Sequence, residues 1–69
     1  MEDWKVRMIN EFKELVDRVK KLEIFVHKSP KFYELSETER ELLLEQLRGM
    51  TTYLDALEDR LGYYKIKVD

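Results

Sequence analysis

Between Met8 and Val26 the apolar residues Met8, Phe12, Leu15, Val19, Leu22 and Val26 follow one another at steps of four, three, four, three and four. That spacing is the seam of a helix lying along another helix. Ile9, Val16 and Phe25 widen the stripe beyond what a two-stranded coiled coil needs, to the width of a helix facing more than one partner. One long helix over residues 4–27 is predicted.

Ser29-Pro30 ends it, because the residue before proline is pushed out of helical geometry and proline has no amide to donate. Residues 28–35 are expected as a turn, with Phe32 and Tyr33 plugging the end of the fold and His27 at the surface or capping. Ser36-Glu37-Thr38-Glu39 matches a capping box, in which the Ser36 hydroxyl accepts from the Glu39 amide and the Glu39 carboxylate returns to Ser36. A second helix over 37–61 follows, with the seam Leu43, Leu47, Met50, Leu54, Leu57 and Leu61, Leu44 and Tyr53 beside it, and Gly62 as its C-cap.

Two helices of this length joined by a short connection run antiparallel. The fold class is therefore all-α, an antiparallel two-helix hairpin in one domain, residues 1–69. In the tail, 62–69, Tyr64, Ile66 and Val68 alternate with charged residues, which predicts a short extended segment that docks on a neighbouring subunit or frays.

A chain of 69 residues buries too little surface to be comfortably stable alone, and such chains are commonly stapled by disulfides, a metal or partner subunits. There is no cysteine, and His27 is the single histidine, so neither a disulfide nor a zinc site is expected. Self-association remains, and a homo-oligomer is expected. No apolar run approaches the ~20 residues that span a bilayer. Met1-Glu2-Asp3 opens acidic where a secretion signal opens basic, so the expected location is the cytoplasm.

Catalysis is not expected: the residues offer no thiol, no paired histidine and no glycine-rich phosphate loop, and the carboxylates read as solvated helix faces. No cofactor is expected either. Residues 1–33 hold eight basic and six acidic side chains, whereas 34–61 hold three and eight, so the first half is better suited to meet an anion. Its aromatic and basic residues outside the seam include Trp4, Lys5, Arg7, Arg18, Lys20, Lys21, Lys28 and Lys31. Aromatic faces stack on bases and cations meet phosphates. The plainer alternatives are that Trp4 packs on a neighbouring helix and that Lys20 and Lys21 are a solvated pair.

Arg48, Thr51 and Thr52 form a second cluster. Arg48 and Thr52, four apart, share a helix face and present a guanidinium and a hydroxyl together. Gly49 beside them costs about 1 kcal/mol of helix propensity against alanine. It allows a close helix crossing at an oligomer axis, or a ligand's approach.

Three stretches carry a resemblance: Lys21-Leu22-Glu23-Ile24-Phe25-Val26, Lys31-Phe32-Tyr33-Glu34-Leu35-Ser36, and Gln46 to Leu61 with its Gln-x-x-x-Met-x-x-Tyr-x-x-x-Leu-x-x-Arg pattern. Together they span roughly residues 4–61, and the chain resembles the small phage proteins that sponge cyclic oligonucleotides to defeat CBASS immunity. The resemblance implies a homohexamer of helical hairpins in the cytoplasm of an infected bacterial host. It implies cyclic dinucleotides bound between protomers, by an aromatic on the first helix and a lysine further along. The positions matching those roles are Trp4, where tyrosine is commoner in that family, and Lys21, with Arg18 and Lys20 as alternatives. Cyclic trinucleotides would be bound near three-fold axes by Arg48 and Thr52, with Thr51 beside them. Neither a membrane nor long nucleic acid is expected as a partner, since no apolar run spans a bilayer and the charge balance is acidic with no long basic face. The competing expectation is a hairpin adaptor or inhibitor that docks its apolar stripe on a host protein.

Overall fold

A computed structural model describes residues 3–68. Helix α1 spans Asp3–Lys28, α2 spans Pro30–Glu34 and α3 spans Glu37–Tyr63. Met1, Glu2 and Asp69, the outer residues of the expected domain and tail, lie outside the described residues. The described chain is all-helical, with no strand among those residues. No described helix is long and apolar enough to cross a membrane.

The long helices are set by their seams and ends. Asp3 in the first turn of α1 and His27 and Lys28 in the last complement the helix dipole. At α3 the Ser36 hydroxyl accepts from the Glu39 amide at 3.2 Å, the expected cap. The returning arm of the box, Glu39 to Ser36, is not formed among the described residues, and the exposed Glu39 carboxylate stays with solvent.

The expected turn over 28–35 is itself helical at its centre. Ser29 caps α2, accepting from the Lys31 amide at 3.3 Å, and Pro30 occupies the first turn, where a missing amide costs nothing. The proline that ends α1 therefore also starts α2. Phe32 turns inward, 6% exposed, and meets Phe25 edge-on with centroids 6.1 Å apart. Tyr33 does not plug the end: it is 69% exposed.

α1 packs along α3 with its start beside the end of α3. Met8, Leu15 and Val19 bury with Leu57 and Leu61 in one cluster, flanked by half-buried Ile9, Phe12, Leu47, Met50 and Leu54. Every seam residue on α1 is at least half-buried. On α3 the burial is lopsided, because only Leu57 and Leu61 are fully covered while Leu43, Leu47, Met50 and Leu54 are half-covered.

Gly62 is not the cap of α3. The helix continues through Tyr63, the Lys65 amide donates to the Gly62 carbonyl at 3.0 Å and the Ile66 amide to the Leu61 carbonyl at 2.9 Å. This pair of bonds is a Schellman motif, and its left-handed residue is Lys65, with φ 57°. Ile66 then sits where the motif places an apolar contact, and Ile66 and Val68 cover the core of their own chain. The tail neither frays nor reaches outward over 66–68; the alternation read in the sequence marks which side chains fold back.

Candidate functional site

Trp4 lies in the first turns of α1, and its ring meets Tyr64 edge-on at a centroid distance of 4.8 Å. The Lys5 ammonium stands 5.5 Å from the same ring. Packing on its own chain therefore engages Trp4, yet the side chain stays 37% exposed. Beside it opens a cleft of about 290 Å³, lined by Trp4, Arg7, Met8, Glu11 and Arg60.

The cleft follows from helix geometry. Trp4, Arg7, Met8 and Glu11 are spaced three, one and three apart, so they share one face of α1. Arg60 is delivered from the last turns of α3. Tyr53, on the same helix as Arg60, faces the Glu11 carboxylate, which raises its phenol pKa above the ordinary 10.0 as a hydrogen-bond acceptor and a nearby negative charge, with Arg60 opposing. An indole face, two guanidinium groups and one carboxylate thus converge where the two long helices end. A guanidinium binds phosphate bidentately, an aromatic face stacks on a base, and a carboxylate accepts from an amino edge.

The four residues expected to share a dinucleotide pocket are not brought together within one chain. Sixteen positions separate Trp4 from Lys20 along α1, which at 1.5 Å per residue is about 24 Å. The Lys21 ammonium is 2.9 Å from Asp17 one turn earlier, an exposed ion pair of small worth. Arg18 is exposed on the same helix. Lys20 instead lines a second hollow of about 320 Å³ with Glu23, Ile24, His27 and Lys28, all on α1.

Arg48, Thr51 and Thr52 remain adjacent and exposed on α3. Their chemistry differs from the expectation in one respect. The Thr51 hydroxyl donates to the Leu47 carbonyl at 2.9 Å and the Thr52 hydroxyl to the Arg48 carbonyl at 3.0 Å, so both hydroxyl protons are committed to the helix backbone. The hydroxyl oxygens can accept, and the Arg48 guanidinium is the donor of the group. Gly49 beside them is unexplained by the chain alone, since a Cβ built there meets nothing within 4 Å.

Sequence reasoning missed Glu11, Tyr53 and Arg60. The signal for Glu11 was present in its seven-residue offset from Trp4; the position of Arg60 needed the pairing of α1 with α3.

No curated protein and no solved structure matches the chain. The family model described as Sequestin matches residues 2–63, almost the whole chain. On that match this small all-helical protein belongs to the Sequestin family.

Proposed function

We propose that the protein binds and sequesters the cyclic di- and trinucleotide second messengers of CBASS-type bacterial defence without degrading them, as a phage protein in the cytoplasm of the infected host. The family name supports a sequestering role. The observation that carries the ligand class is the cleft in which Trp4 lies beside Arg7 and Arg60, the pairing of stacking face and phosphate forks that a nucleotide asks for.

In this reading the helical hairpins assemble as a homohexamer. A second chain then supplies what one chain holds about 24 Å away along α1. The Lys20–Lys21 end of one α1 reaches the Trp4 end of another, and a cyclic dinucleotide lies between them. Arg48, with the Thr51 and Thr52 oxygens, meets cyclic trinucleotides where symmetry repeats the group around an axis. Effector enzymes stay idle because free signal falls, and the ligand is held intact rather than cleaved.

Isothermal titration against a panel of cyclic di- and trinucleotides tests this. Trp4→Ala should weaken cyclic dinucleotide binding by about tenfold, given that stacking on one base is worth ~1–3 kcal/mol, and Arg60→Ala should weaken it through the lost phosphate contact. Arg48→Ala should weaken trinucleotides alone. Absence of binding to every member by a folded protein refutes the proposal. It would favour the adaptor reading, to which the exposed Tyr33 and Tyr63 lend themselves.

A further inference from the structure

Two large aliphatic side chains lie open on the molecule away from the seam, Ile24 at 58% and Leu42 at 59% exposure. Their surroundings are opposite in sign. The helical neighbours of Ile24 three and four positions either way are Lys20, Lys21, His27 and Lys28, all exposed, and Lys20, His27 and Lys28 line a hollow with Ile24 and Glu23. The corresponding neighbours of Leu42 are Thr38, Glu39, Glu45 and Gln46, all exposed. One face is an aliphatic knob in a basic ring; the other is an aliphatic knob in an acidic and polar ring.

We propose that these two faces meet between copies of this chain, the Ile24 face of one protomer on the Leu42 face of the next. Three observations converge on a second copy as the occupant. The charges are complementary, with Lys28 opposite Glu45, and Glu23 is the one acidic residue lining the basic hollow. The chain by itself leaves both residues wet, the deficit expected of a fold stabilised by association. Gly49 lies two turns beyond Leu42 on the same face with open space over its Cα, which lets a second chain approach closely.

The contact is heterologous, since different patches of the two protomers touch. Such an interface generates a closed ring, or a filament where the rotation does not close. It rests on the self-association in the proposed function but needs no nucleotide, so assembly and ligand binding can fail separately.

The experiment is sedimentation of the full chain without nucleotide, at low and high salt. Wild type should associate, more weakly as salt screens the charged rings. Lys28→Glu and Glu45→Lys should each raise the dissociation constant by about tenfold, a change of ~1.4 kcal/mol. The chain carrying both changes should recover at least half of that loss on a logarithmic scale, and so should an equimolar mixture of the two single variants. Leu42→Ser should weaken assembly without a charge change, and circular dichroism of each variant checks that the helices persist. A monomeric wild type overturns the proposal. So do single variants that assemble as wild type, or losses that neither the double variant nor the mixture recovers, which would place these faces elsewhere in the assembly.

Discussion

Leu57→Ala strikes the best-buried side chain of the molecule, 1% exposed. Leucine-to-alanine changes at such sites cost ~2–5 kcal/mol, more where the cavity cannot collapse. Here the neighbours Met8, Leu15 and Val19 are fixed on one long helix and Leu61 is one turn along on the other, so little collapse is open to the site. About 3–4 kcal/mol is expected. A domain of this length has a total stability of roughly 3–10 kcal/mol, so the loss removes a third or more of it. At about 4–8 °C per kcal/mol the melting temperature should fall by some 12 °C or more. Urea denaturation followed by circular dichroism, at two protein concentrations, measures it. All these contacts lie within one chain, so the same loss is expected at both concentrations, although wild-type stability itself rises with concentration if folding is coupled to association. A loss under about 1 kcal/mol would refute the placement of Leu57 at the centre of the core.

Ser36→Ala removes the cap of α3 and should cost about 1 kcal/mol in the same denaturation assay. Lys65→Gly relieves a left-handed backbone position and should stabilise by roughly 0.5–1 kcal/mol, and a destabilised variant would contradict the Schellman ending. Tyr53 keeps its proton more tightly when folded, so its contribution to stability is complete below pH 10.0 and is lost as pH rises through the higher folded value. Tyr53→Phe should remove a phenol that titrates above 10.0 from an ultraviolet pH titration. Gly49→Ala should add up to about 1 kcal/mol to the isolated chain while weakening its assembly in sedimentation, and gain in both would remove Gly49 from the interface.

The helices were legible because their signals are local. Both seams announce themselves at steps of three and four, and the long helices extend only one or two residues past the expected ends. Ser29-Pro30 signals in the sequence the helix it ends, while the one it begins shows only once Ser29 is seen to cap α2. Gly62 invited a cap assignment from residue type, whereas the chain took the left-handed turn at Lys65, where Ile66 could then reach the core. For the site, Trp4 was visible as an aromatic outside the seam, but its companions depend on which α3 residue arrives beside it. Arg60 could not be paired with Arg7 from spacing. Lys20 and Lys21 were grouped with Trp4 by chemistry, and the length of α1 keeps them apart in any single chain.

The most direct test of sequestration is to saturate the protein with cyclic di- and trinucleotides in turn, remove free ligand, heat-denature the complex and identify what is released. Stoichiometric recovery of chemically intact ligand after long incubation is the expected result. Linear or cleaved products, or no retained ligand from a folded protein, would contradict the account.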